Sequence, residues 1–360
     1  MKQGDVTINR DKTIFCTLFD SNYLDKGIAL INSLNNVMDE FILYVYAFDR
    51  KAYDILNDMK IHNLKTILFQ NIETDELRRI KNSRSRAEFC WTCTPFIVEY
   101  TLIHFEEKEC TYIDADLFFY KNPRELIQEM KDNKCSVQIV EHRFPNYRVY
   151  RRTEKMSGRF CVEFNTFLNN RIGRKVVETW KNQCFACCTS DWKSGTFGDQ
   201  KYLDEWQDRY EGIHVLTNQG GGIAPWNLSR YRLVGLNAED ILFEDSMTKT
   251  IYTVYFYHFH DLCFESESRV NIHLFERPGR VDSELMKYIY MPYISELKRI
   301  REMLFVNYQL KLPLKNRKKE LLWSKQEKIS IYAKIAKLIY LPKAIYQQKI
   351  INPKNIIEME

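Results

Sequence analysis

Two carboxylates one residue apart, Asp114 and Asp116 with Ala115 between them, interrupt an apolar run. Tyr112-Ile113 precede them and Leu117-Phe118-Phe119-Tyr120 follow. The segment 110–120 reads as a strand, on which side chains two apart share a face. Two acids side by side in such surroundings repel each other and lose hydration, which a hard divalent cation would compensate. Mg²⁺ and Mn²⁺ are commonly held in this way, by one or two carboxylates plus substrate phosphates. A turn carrying two solvated acids is the alternative, and the aromatic and aliphatic flanks weigh against it.

Other phosphate chemistries are excluded by what surrounds the pair. Phosphatases of the haloacid dehalogenase type place Thr or Val two residues after the second Asp, where this chain has Phe118. No G-x-x-x-x-G-K-[ST] occurs, and Gly220-Gly221-Gly222 lacks the spacing and position of a dinucleotide-binding turn.

The elements that must position the acids alternate. Strands are expected at 13–20, 41–49, 66–72 and 110–120, with helices between them from Leu24, from Lys51 and through EFCWTCTPFIVEYTLIHF. Near-continuous apolar strands alternating with helices imply an α/β fold with a mostly parallel sheet covered on both faces. Ligands in such sheets bind beyond the carboxyl ends of the strands. Later strands are expected at CSVQIVEHR, RFCVEFNTFL and 250–260, and helices at GRKVVETWKNQCFA and FGDQKYLDEWQDRY. From 281 the chain becomes helical and basic, so 1–280 reads as the main domain and 281–360 as an extension. No fixed-period repeat or low-complexity tract is present.

The 360 residues are 45% hydrophobic and 14% aromatic with a net charge of +5, ordinary globular values. The basic character is local: residues 311–350 hold eleven Lys and Arg against two acids. Ile331, Ile335, Leu338 and Ile339 fall on one helical face there, with Lys334 and Lys337 toward the other. Such a segment suits peripheral contact with an anionic membrane, or a helix packed on the domain with a solvated basic face. No nucleic-acid module accompanies it, so nucleic acid is not an expected partner. The N-terminus has no apolar core of a signal peptide and no stretch reaches the length of a membrane span, so a cytoplasmic location with reduced thiols is expected. Cys90–Cys93 and Cys184–Cys187 have C-x-x-C spacing, but their irregular pairing and helical setting argue against a structural zinc.

A strand ending in Tyr-Ile-Asp-Ala-Asp, about a hundred residues after Phe19-Asp20-Ser21-Asn22-Tyr23, resembles the GT-A fold glycosyltransferases. Within them the chain is most similar to the family 8-like retaining enzymes, over residues 13–262. The resemblance implies a Rossmann-like sheet flanked by helices, here with a basic helical tail. It implies that Thr17, Leu18, Phe19, Asp20, Asn22 and Tyr23 contact the nucleotide, and that Asp114 and Asp116 hold the metal. A later strand in the family ends in a metal-binding His. His258 fits that place, with His260 on the same strand face as runner-up. Asp199-Gln200 matches an Asp-Gln that faces the anomeric carbon, Asn165 a position lining the donor sugar, and Trp226 an acceptor-side tryptophan. Each has a structural alternative: Asp20 and Asn22 or Asp199 as helix caps, Trp226 as core.

Two family features are missing. Trp91-Thr92-Cys93-Thr94 stands where the family has Tyr-x-Arg-Leu, so the donor-binding arginine is assigned to Arg86, slightly upstream. Asp261-Leu262-Cys263-Phe264 replaces the Gly-x-x-Lys-Pro-Trp that carries a diphosphate-gripping lysine. The resemblance implies a hexosyltransferase dependent on Mn²⁺ or Mg²⁺. Its donor would be a nucleotide-diphosphate sugar, UDP-linked by preference, and its acceptor a glycan or lipid-linked saccharide of surface polysaccharide or lipopolysaccharide assembly. A non-catalytic nucleotide-sugar or glycan-binding scaffold of the same fold is the alternative.

Overall fold

The structure is a computed structural model that describes residues 12–146, 148–237, 240–272, 282–315 and 356–358. It begins with β1 (Thr13–Phe19), α1 (Leu24–Val37), β2 (Phe41–Ala47), α2 (Arg50–Asp58) and β3 (Leu64–Leu68). Then come α3 (Asp75–Lys81), α4 (Arg86–His104), β4 (Glu109–Ile113), β5 (Leu117–Phe119), α5 (Arg124–Asp132) and β6 (Val137–Glu141). They are followed by α6 (Arg148–Ser157), β7 (Phe160–Leu168), α7 (Arg171–Ala186), α8 (Trp206–Arg209) and β8 (Ile213–Val215). The last third holds β9 (Tyr231–Asn237), β10 (Asp240–Asp245), β11 (Ile251–Thr253), β12 (Phe256–His258), β13 (Cys263–Ser266) and β14 (Arg269–Asn271). A helical run comprises α9 (Ser283–Leu285), a π turn and α10 (Met291–Tyr308), and β15 (Ile356–Glu358) comes last.

Seven strands form the main sheet in the order β3-β2-β1-β4-β7-β6-β8. It is mostly parallel: only β7 runs against its neighbours, β4 and β6. Both faces are covered, which is why β1 and β2 are apolar almost throughout. In β1, Ile14, Cys16 and Leu18 face the layer of α4 and α7, whereas Phe15 and Phe19 face the layer of α1 and α10. The α/β class and mostly parallel sheet expected from the sequence are present. Residues of α10, among them Ile294, Leu297, Ile300 and Leu304, are buried in the same core as α1. Arg301 reaches Asp25 at 2.7 Å from that helix.

Two expected strands are each divided. The run 110–120 pairs with β1 and β7 only as far as Ile113, turns at Asp114–Asp116, and resumes as β5 in a different sheet. The run 250–260 likewise splits into β11, which extends a three-stranded sheet with β9 and β10, and β12, which pairs with β5. Apolar runs do not reveal such a change of partner, because both halves remain buried. The antiparallel β5–β12 pair sets His258 opposite Leu117, one residue past Asp116. The helix expected at 197–210 is a 3-10 turn, Gln200–Glu205, running into the short α8. The tail residues 316–355, with most of the basic segment, lie outside the described residues.

Candidate active site

The turn between β4 and β5 carries Asp114 and Asp116, and the end of β12 brings His258 to them. Ligand atoms from these three residues lie within 4.8 Å of one another. His258 Nε2 is 3.0 Å from Asp116 Oδ1 and 3.8 Å from Asp114 Oδ2. His260 is not part of this group. It is turned toward Asp261 at 3.4 Å and lies edge-on to His258.

Each of the three side chains has its remaining polar atom tied elsewhere. Tyr112 donates its hydroxyl to Asp114 Oδ1 at 2.9 Å. Lys26 Nζ faces Asp116 Oδ2 at 3.6 Å. His258 Nδ1 meets Glu163 Oε2 at 2.6 Å. One oxygen from each aspartate and one imidazole nitrogen are therefore left converging. Two oxygens and a nitrogen suit a small divalent cation such as Mn²⁺, and the excess of buried carboxylates gives a cation an electrostatic reason to bind. The residues present fit the metal that the resemblance implies.

The charges here are far from solution behaviour. Burial pushes Asp114 up to about 6, with His258 opposing the rise and the Asp116 charge adding to it. Asp116 moves the other way: burial raises it, but His258 and Lys26 outweigh that and hold it well below the usual carboxylate range. Burial disfavours charge on His258, yet Asp116 holds its pKa well above the ordinary value.

Asp199 joins this corner from the loop before the 3-10 turn. It is buried, makes no side-chain cap bond, and Trp180 of α7 donates its indole N–H to the Asp199 carbonyl at 2.8 Å. Burial and the neighbouring Asp114 carboxylate push Asp199 up to about 7. The Thr94 hydroxyl on α4, which donates to the Cys90 carbonyl at 3.5 Å, offsets part of that rise. Gln200, in contrast, turns away: its amide nitrogen donates to the Ser157 carbonyl at the end of α6, at 2.7 Å.

The residues expected to contact a nucleotide gather at the carboxyl end of β1. Asp20 caps the turn Ser21–Tyr23 by accepting from Asn22 N at 2.8 Å, and its other oxygen is paired with Arg86. With the Asn22 amide oxygen turned toward it, Arg86 also donates there at 3.0 and 3.1 Å. Arg86 stands at the exposed N-terminus of α4, whose capping box is Ser85 and Glu88. Arg84 is structural, bonding to Thr92 and to the carbonyls of Cys184 and Phe185. Tyr23 bonds to Lys26 at 3.4 Å and so sits between this cluster and the acids. Thr17 and Phe19 are buried in β1, Phe19 under Gly27 of α1.

Two expected sugar contacts are more enclosed. Asn165 is fully buried on β7, and among the described residues neither end of its amide has a protein partner. Trp226 is 6% exposed and packs edge-on against His142, His258 and His260. It is a wall for His258.

Lys26, Tyr112 and Thr94 were not singled out from the sequence. Lys26 had a readable signal: on α1 it lies four residues before Leu30 and eight before Leu34, on the apolar face. A charge placed there is buried and requires a partner. Tyr112 and Thr94 carry no such mark.

No family model matches the sequence. The chain is 30% identical over 292 residues to the uncharacterised protein YfnD of Bacillus subtilis (strain 168), covering 79% of this chain and 88% of YfnD. It is 28% identical over 251 residues to YfnF of the same organism, covering 68% and 80%. Among solved structures it is similar to the galactosyltransferase LgtC, with 11% identity, 80% of this chain and 96% of LgtC covered, and a TM-score of 0.48. It is also similar to mouse xyloside xylosyltransferase 1, with 16% identity, 69% and 98% coverage and a TM-score of 0.44. The glycosyltransferase GlyE of Streptococcus pneumoniae is matched at 12% identity, 85% and 66% coverage and a TM-score of 0.45. These solved proteins are glycosyltransferases of the GT-A fold. With 30% identity extending over 88% of YfnD, this chain belongs to the same protein family as YfnD.

Proposed function

We propose that this protein is a metal-assisted glycosyltransferase that moves a hexose from a nucleotide-diphosphate sugar, UDP-linked by preference, to a saccharide or lipid-linked acceptor in surface polysaccharide assembly. The observation that carries this reading is the convergence of Asp114 Oδ2, Asp116 Oδ1 and His258 Nε2, which face one another while each residue's other polar atom is engaged elsewhere. Asp114, Asp116 and His258 would hold Mn²⁺ or Mg²⁺. When bound, that ion supplies Lewis-acid stabilisation for the negative charge that develops on a departing diphosphate.

The chain's own residues do the rest. Arg86, Asp20 and Asn22 bind and orient the nucleotide at the mouth beyond β1. Lys26 keeps a fixed positive charge beside the acids. Sugar transfer develops positive charge at the anomeric carbon, and Asp199, buried beside Asp114, offers a carboxylate to that charge once it is ionised. Trp226 encloses His258 and excludes water from its face. Transfer proceeds with retention of configuration, the outcome implied by the family 8 resemblance.

The protein acts at the cytoplasmic side of a membrane, which it meets through the basic segment 311–350. No helix among the described residues is long and apolar enough to cross a membrane. Co-sedimentation with anionic vesicles, compared between the full chain and one ending at Lys315, tests that contact. Equal binding by both would remove it.

The activity itself is tested by incubating the full chain with UDP-, GDP- and dTDP-hexoses and measuring release of the nucleoside diphosphate. The expected result is release from one donor class with Mn²⁺ and none in excess chelator. Release that is indifferent to chelator would end the metal-assisted reading.

A further inference from the structure

Glu163 is fully buried in the middle of β7, an unusual place for a carboxylate. It is there because β7 leaves its ladder with β6: Gln138 faces Thr166, but two residues later Val140 faces Cys161. The irregularity spans Val162–Asn165 and frees the Glu163 side chain from the regular alternation of the sheet. Its Oε2 meets His258 Nδ1 at 2.6 Å, and its other oxygen has no partner among the described residues. The Glu163 backbone takes part as well, its carbonyl accepting from Asp114 N at 3.1 Å. One residue thus holds both the turn that carries the aspartates and the ring that faces them.

We infer that Glu163 is the positioning residue of the metal centre: it keeps the proton on His258 Nδ1, so that the Nε2 lone pair points at the convergence of Asp114 and Asp116. This rests on the metal-assisted reading above. The chemistry requires such a partner, because a neutral imidazole carries one proton and either nitrogen can bear it. An acceptor at Nδ1 places the proton there and frees Nε2 for a metal. Trp226 edge-on to the ring restricts its rotation, and Glu163 selects between its nitrogens.

The test is Mn²⁺ binding to the full chain, followed by loss of the electron paramagnetic resonance signal of free Mn²⁺, for wild type, Glu163→Ala, Glu163→Gln and Asp116→Asn. Wild type is expected to bind and Asp116→Asn to fail. Glu163→Ala should bind about 10–100-fold more weakly, the usual effect of removing a histidine's outer partner. Glu163→Gln, whose amide oxygen still accepts from Nδ1–H, should recover most of that affinity. Wild-type affinity in Glu163→Ala, or no recovery in folded Glu163→Gln, would overturn the inference. Failure of wild type itself to bind would instead overturn the metal reading, and with it this role. Should Glu163→Ala not fold, ¹⁵N-histidine resonances of the Mg²⁺-loaded wild type and Glu163→Gln chains decide. A proton on Nδ1 of His258 is expected in both, and a proton on Nε2 in wild type contradicts the inference.

Discussion

The Asp114 carboxylate adds to the burial that raises Asp199: Asp199 is pushed up to about 7, while burial and the Asp116 charge push Asp114 itself up to about 6. Burial is the larger cause for both, and they reach the same corner from separate loops. The site thus stores unfavourable charge that a cation relieves.

That stored charge predicts a pH dependence of stability. A carboxyl whose folded pKa is raised stabilises the fold below its unfolded value of 3.8, and this contribution is lost as the pH climbs through about 7. Asp199→Asn removes the loss. In chelator at pH 8 the variant should be more stable than wild type by roughly 4 kcal/mol, an order-of-magnitude figure from a shift of about three pKa units. The advantage should shrink toward pH 4. Thermal unfolding across that range checks it, and a variant less stable than wild type at pH 8 contradicts it.

Transfer itself should follow the ionised form of Asp199. Its rate with saturating donor and metal is expected to fall as the pH drops below the Asp199 pKa, and Asp199→Asn should lose most activity at every pH. A flat profile in wild type between pH 5 and 8 would separate Asp199 from the chemistry.

Lys26 and Asp116 form a buried pair, each side chain about 10% exposed. Lys26→Met retains much of the volume but leaves the Asp116 charge with one cationic neighbour fewer. A loss of ~3 kcal/mol is expected in chelator, in line with breaking a buried pair. Mn²⁺ should restore stability more in this variant than in wild type, because the added cation takes over the missing charge. Calorimetry with and without Mn²⁺ measures both, and an equal gain in the two proteins counts against the proposed geometry.

Retention of configuration is checked separately, by NMR of the anomeric proton in the product once a donor is in hand. An inverted linkage rejects it.

How much of this was legible in the sequence differs by element. The alternation of the first half, the carboxylate pair and the capping position of Asp20 after β1 follow from local pattern and short motifs, whereas Arg86 is assigned through the resemblance alone. The division of 110–120 and of 250–260 does not, since strands that change sheets remain apolar throughout. Asp199 is marked by resemblance, but its burial within electrostatic range of Asp114 depends on how the loop packs on α7, where Trp180 holds the Asp199 carbonyl. Glu163 lies two residues before Asn165, the position that the resemblance implies to line the donor sugar. Its bond to His258 arises from an irregularity in β7 that no spacing announces.

The most direct measurement is the thermal shift of the full chain with UDP-, GDP-, CMP- and dTDP-sugars, with and without Mn²⁺, beside Asp114→Asn and Asp116→Asn. One nucleotide sugar is expected to raise the midpoint of wild type only when Mn²⁺ is present, and neither variant is expected to respond. Transfer by those variants should drop ~10³-fold or more, the loss of several kcal/mol of transition-state stabilisation. A shift of equal size without the ion, or in both variants, would contradict the claim that these aspartates and His258 hold a catalytic metal.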